Sequence, residues 1–280
     1  MQDFYRINVP RLGFSHPFVL HALMAFSARH LAQFRASKRT YYIAKADHHW
    51  EIGLRSASAL VPAVDDANAP ALYIFAIFSC FYTLAKGPKP RDFLVFSDEG
   101  LAEWLILLRG VRAIMETTGD SIRHSALSPL FTTASARVQK FYAHDPASGD
   151  EHPRVAELRE LVADVAGDSP NLPTYLAAID DVSRCFACVF DDSSSSASSQ
   201  TVFIWMYRVS DDFVLCLQQR QPVALTVFAY FVVLLNELGN SWWMQGWVYH
   251  LLAGIHDALD EGSKSWIRWP MERLGWIPDL

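Results

Sequence analysis

The sequence predicts an all-α protein, a single multi-helix domain over residues 1–280 in which orthogonal and antiparallel helices enclose an apolar internal pocket. Three observations carry this expectation. Apolar residues recur at helical spacing through most segments, no segment alternates like a strand for long, and Gly or Pro clusters separate stretches of helix length. The pocket follows from composition: 51% of residues are apolar and 19% charged, with nine Trp, ten Tyr and eighteen Phe, which is more apolar surface than a helical shell needs to cover itself. A large aromatic core accounts for the same numbers.

Taken in order, His16 to Arg35 is apolar on nearly every side, with Phe18, Leu23, Met24, Leu31 and Phe34, and suits a central helix opened by Pro17. From Thr40 to Val61, Tyr42, Ala46, Trp50, Leu54 and Ala57 keep the helical period until Pro62 ends it. A helix over Ala71–Lys86 stops at Gly87-Pro88-Lys89-Pro90, and one over Leu101–Thr117 stops at Gly119. Asp120 to Asn171 is less regular, with helical pieces near Leu130–Tyr142 and Pro153–Ala166. A helix from Leu172 to Phe190 then breaks into a flexible serine-rich loop over residues 191–200. Helices over Val202–Gln219, Val223–Leu238 and Trp242–Leu259 follow, before a tail containing Trp266 and Pro270.

Several function classes are excluded on simple grounds. A net charge of −6 without a basic cluster argues against direct binding to nucleic acid. The longest apolar runs, near Ala69–Ala85 and Val223–Leu235, are too short for a membrane span and read as buried helices. The first residues have neither the basic start nor the apolar stretch of a signal peptide, so an intracellular location, cytoplasm or nucleus, is expected. Cys80, Cys185, Cys188 and Cys216 all lie in apolar segments, as reduced buried thiols do, and Cys185-x-x-Cys188 has no further ligand to complete a zinc site. His144, Asp145, Asp150, Glu151 and His152 share one loop, where such mixtures are usually solvated turns, so no metal is expected. Asp180-Asp181 and Asp211-Asp212 lack the third acid of a terpene-cyclase magnesium motif. Gly13-Phe14-Ser15-His16-Pro17 misses the last glycine of a nucleophile elbow. Without a glycine-rich phosphate loop, no nucleotide cofactor is expected either.

Three stretches together resemble one family. His16 to Ala32 is similar to the opening helix, and Ala46-Asp47-His48 with Leu54 to the next helix, of the fungal-specific regulatory domain that follows the zinc binuclear cluster in fungal transcription factors, especially the sterol-responsive regulators. Trp205, Phe213, Leu217, Arg220, Pro222 to Leu225, Ala229-Tyr230, Leu234-Leu235, Trp242-Trp243 and Gly246-Trp247 follow the order of its closing helices, and Trp269-Pro270 is the third match. The resemblance implies an all-helical domain with a hydrophobic pocket, a sterol in some members, and control of transcription. It also places His21, His30 and His48 as packing residues. The family's zinc cluster needs six closely spaced cysteines beside a basic run, whereas the first cysteine here is Cys80. The chain is therefore expected to be an excised regulatory domain or a free-standing relative, and its start at Met1 favours the latter.

The leading expectation is a domain that binds a hydrophobic small molecule, a sterol, terpenoid or polyketide, through Phe213, Tyr230, Asn236, Trp242, Trp243 and Trp247. The alternative is a cofactor-free cyclase or isomerase of secondary metabolism, with Asp211, Asp212, Glu237 and His250 doing acid–base work in an apolar site. A homodimerisation module without ligand is the third reading.

Overall fold

The computed structural model describes residues 3–146, 151–190 and 199–278, with the side chains at all of these positions except 133, 134 and 136. The described residues are almost wholly helical, as expected. They divide into two compact units, Met1–Gly87 with Ile106–Ser135, and Pro88–Leu105 with Ala136–Leu280.

The first unit opens with a π-helical turn over Phe4–Asn8 and helix α1 over Val9–Ser15, neither of which apolar spacing announces. His16, at φ −130°, turns the chain into α2 over Pro17–Phe34, where Pro17 occupies the first turn and gives up no hydrogen bond. Helix α3 covers Arg39–Leu60. The two pack along small residues, Ala22, Ala25 and Ala28 on α2 and Ala46, Gly53 and Ala57 on α3, all buried. The expectation that this segment, apolar on nearly every side, forms a central helix does not hold. Met24, Leu31 and Phe34 are exposed, because α2 meets its neighbours through the faces that carry Phe18, Val19, Phe26 and the alanines.

The central place belongs to α4, Ala69–Ala85, in which every residue from Ala69 to Phe75 is buried. Its entry turn is built by side chains: Asp65 Oδ1 accepts from the backbone N–H groups of Ala67 and Asn68 at 3.0 and 2.9 Å, and Asn68 Oδ1 accepts from Asp65 N–H at 3.0 Å. Helix α5, Glu103–Arg123, runs past Gly119, where the sequence predicts a stop. It bends instead at Thr118 (φ −131°), whose hydroxyl donates to the Ile114 carbonyl at 2.9 Å and competes with the backbone ladder. Helix α6 spans Ser128–Ala143.

The second unit starts at Pro88, where Pro88-Lys89-Pro90 forbids helix and the chain enters a short hairpin, β1 over Phe96–Ser97 paired antiparallel with β2 over Gly100–Leu101. Phe93 and Phe96 stack at 4.5 Å with ring planes 6° apart, which fixes the base of this hairpin. Helices α7 (Pro153–Val165) and α8 (Leu172–Phe190) follow. The predicted helix over Val202–Gln219 is two, α9 (Ser199–Arg208) and α10 (Asp211–Gln218), because Ser210 caps the second by accepting from Phe213 N–H at 3.2 Å. Residues 191–198 of the expected serine-rich loop lie outside the described residues, and Ser199 and Gln200 already belong to α9.

Helix α11, Pro222–Asn236, is the core of this unit: Ala224 through Leu235 are all buried, and α7, α8, α10 and the two helices after it pack around them. A helix this apolar on all sides must be surrounded. The stretch predicted as one helix from Trp242 is a 3-10 turn, Trp242–Met244, then α12 over Trp247–Ala258, separated by Gly246 at φ +84°. That left-handed conformation suits glycine and resets the chain direction. The expected tail is helical too, a 3-10 turn over Ser263–Ile267 followed by α13, Arg268–Leu274. No helix among the described residues is long and apolar enough to cross a membrane.

Candidate ligand-binding site

The ten residues singled out in the closing helices all fall in the second unit, and the structure separates them by burial. Phe213 and Trp247 are core residues. Phe213 stands edge-on to Trp205 at 5.7 Å, and Trp205 stacks on Phe231 at 4.3 Å and donates its indole N–H to the Ala178 carbonyl at 3.0 Å. Tyr230, also buried, lies 5.1 Å from Trp269, and burial pushes its hydroxyl pKa up to about 12. Asp211, Asp212, Asn236 and Glu237 are exposed, in the first turn of α10 and at the end of α11. His250 is half-buried and its Nε2 lies 2.8 Å from the Asp92 carbonyl oxygen; since a carbonyl only accepts, Nε2 carries the proton. It ties α12 to the hairpin.

The two remaining tryptophans lead to a different aromatic group. Trp242 and Trp243 are half-buried on the 3-10 turn. Trp243 lies 6.2 Å from Phe203 of α9, and Phe203 lies 5.1 Å from Trp104 at the start of α5. Trp104 is 1% exposed, yet its indole N–H has no acceptor among the described residues. Unlike that of Trp205, this buried donor is unsatisfied, and such a group costs on the order of 1–3 kcal/mol. An aromatic cluster with half-buried members and one unused donor can hold an apolar skeleton and donate to a single ligand oxygen.

Clefts open on this unit, two of them beside residues named above. One, of about 440 Å³, is lined by Lys140, His144, His152, Phe186 and Phe190. The other, of about 480 Å³, lies between the hairpin and α12 and has Arg91, Phe93, Asp98, Arg220 and His250 on its walls. Neither is an enclosed apolar cavity. Sequence reasoning singles out His250 and Arg220 but passes over Trp104, Phe203 and the hairpin. The signal for the hairpin was the Pro-rich break followed by Phe93-Leu94-Val95-Phe96 and the turn-forming Asp98-Glu99-Gly100.

Glu151 is held by Arg159 through contacts of 3.2 and 2.8 Å, and His152 Nδ1 caps α7 by accepting from Arg154 N–H at 3.2 Å, while Asp150 lies outside the described residues. No group of three metal-ligating side chains occurs among the described residues. The four cysteines are buried thiols outside any disulfide; burial raises the thiol pKa of Cys185 and pushes that of Cys80 up to about 12, so neither is a ready nucleophile. In the first unit His30 and His48 are exposed, whereas His21 Nδ1 meets His49 Nδ1 at 3.0 Å. Burial and the neighbouring His21, His48 and Lys45 charges lower the pKa of His49.

Residues 2–144 match the family described as fungal specific transcription factor domain, and the all-helical architecture agrees with it. The chain belongs to that family and is a regulatory domain of the fungal transcription factor type. It is similar to a Zn(2)-C6 fungal-type transcription factor of Gibberella zeae, 22% identical over 96% of this chain and 56% of the relative. It is also similar to the Zn(2)-C6 fungal-type transcription factor afumD of Aspergillus fumigatus, 24% identical over 80% of this chain and 58% of that protein. The chain thus spans a little over half the length of the curated relatives it matches. No solved structure matches it. With four cysteines in 280 residues, the sequence itself does not contain a six-cysteine zinc cluster.

Proposed function

We propose that this chain is the ligand-sensing part of a fungal transcriptional regulator, acting in the cytoplasm or nucleus on a hydrophobic small molecule such as a sterol, terpenoid or polyketide. The buried Trp104 indole N–H without an acceptor carries the reading. Ligand binding beside it would satisfy that donor, with Phe203 and Trp243 supplying flat apolar walls and Trp242 the neighbouring position. Phe213, Tyr230 and Trp247, buried in the same unit, serve as packing residues in this reading. Asn236 at the exposed end of α11 is the remaining member of the proposed ligand-binding set.

Acid–base catalysis needs a carboxyl held neutral by apolar surroundings, which the exposed Asp211, Asp212 and Glu237 do not have. Native mass spectrometry of the full chain with a lipid and terpenoid extract tests the binding reading. The expected result is one bound mass recovered unchanged and weakened about tenfold or more by Trp104→Phe, which removes the donor and keeps an aromatic ring. A new product mass, or binding indifferent to Trp104→Phe, would overturn it.

A further inference from the structure

We infer that the cleft between the hairpin and α12 is a receptor site for a small organic carboxylate, clamped by Arg91 and Arg220 in exchange for the carboxylate of Asp98. This goes beyond the aromatic site, because the chemistry is anionic and the residues are different ones.

The backbone gives the first argument. Among the described residues three non-glycine positions have positive φ, and two of them are Arg91 (+64°) and Arg220 (+53°). Arg220 closes α10: its N–H donates to the Leu217 carbonyl at 2.9 Å, and Gln221 N–H to Cys216 at 3.0 Å. This paired closure normally has glycine at the left-handed position. An arginine there carries strain that glycine would avoid, and such strain is concentrated where a side chain must be aimed at a ligand.

The side chains give the second. Both arginines converge on one carboxylate, Arg91 Nη1 on Asp98 Oδ2 at 3.1 Å and Arg220 Nη2 on Asp98 Oδ1. Two guanidiniums facing one acid leave one positive charge at the clamp, and a planar carboxylate is the partner their fork geometry fits. Asp98 sits at the hairpin tip with a third of its side chain exposed, so it can be exchanged for an acid from solution.

The opposite wall supplies the room. His250, Ala253, Gly254, Asp257 and Ala258 lie along one face of α12 at helical spacing. A Cβ on Gly254 would come within 2.8 Å of the Phe93 ring, so the ring rests directly on the helix backbone and floors the cleft. A ligand with its acid on the arginines would lay its apolar body over Phe93 and the two alanines. Asp257, on the same wall, disfavours a second negative charge on that body.

Isothermal titration of the full chain with 1-naphthoate and with its methyl ester tests this. The acid is expected to bind saturably and more weakly with added salt, and the ester about tenfold or more worse. Arg220→Gly, which relieves the strained position and so keeps the fold, should weaken the acid about tenfold. Asp98→Asn, which removes the internal competitor, should tighten it severalfold. A merely structural ion pair predicts the opposite sign for Asp98→Asn. Equal binding of acid and ester, no binding of the acid, an unchanged Arg220→Gly titration, or weaker binding by Asp98→Asn would overturn the inference. Ergosterol followed by native mass spectrometry on the same variants keeps the two sites apart: loss by Trp104→Phe with an unaltered naphthoate titration is expected, whereas naphthoate lost by Trp104→Phe would mean the acid occupies the aromatic site and the clamp none.

Discussion

Trp50 and Tyr82 stack with ring centroids 4.2 Å apart and planes 11° from parallel, which joins α3 to α4 across the alanine seam of the first unit. Tyr82 also donates its hydroxyl to Asp47 Oδ1 at 2.8 Å, and Arg29 reaches the same oxygen at 3.3 Å. One buried phenol thus serves three helices, by stacking and by a charge-assisted hydrogen bond.

Tyr82→Phe keeps the stack and removes the hydroxyl, leaving Asp47 with Arg29. The expected cost is about 1–2 kcal/mol in urea unfolding. Tyr82→Leu, which also loses the stack, should cost about 1 kcal/mol more. If Tyr82→Phe and wild type share one midpoint, the hydrogen bond contributes nothing.

Gly53 of α3 lies against the backbone of α2. A Cβ there would meet the Phe18 carbonyl oxygen at 3.2 Å, the Phe75 ring at 3.2 Å and His21 Cβ at 3.3 Å. Gly53→Val adds a Cβ and two methyl groups where backbone cannot yield, so it should destabilise by about 2 kcal/mol or more despite removing a helix glycine. Thermal unfolding measures it. A stabilised variant would mean that the helices can part without loss.

Alkaline pH tests the burial of Tyr230. Its pKa is raised from 10.0 to about 12, so the folded state holds the proton more tightly than the unfolded chain. The resulting stability is complete below pH 10 and is lost as pH rises from 10 through 12. Tyr230→Phe should flatten that part of the decline, read as urea midpoints from pH 9 to 12. An identical slope in the variant would place Tyr230 in water.

What the sequence determined by itself was the helical class and the two most buried segments. Ala69–Ala85 and the run from Val223 to Leu235 have no polar face to offer water, so any fold of this chain must surround them. Family membership was legible as well, in the opening helices His16–Ala32 and Ala46-Asp47-His48, which fall within the matched residues 2–144, together with the ordered aromatic and apolar positions that follow. Tertiary structure decided which aromatic residues have a use beyond packing. Phe213, Trp205 and Trp243 look alike in sequence, yet Trp205 finds the Ala178 carbonyl, whereas Trp104, at the start of α5, finds no acceptor among the described residues. The arginine clamp was equally illegible, because Asp98 and Arg220 stand 122 residues apart and meet only when α10 packs against the hairpin. Local spacing reports which faces must be buried; the pairing of polar groups depends on which buried faces meet, and that is settled only when the helices pack.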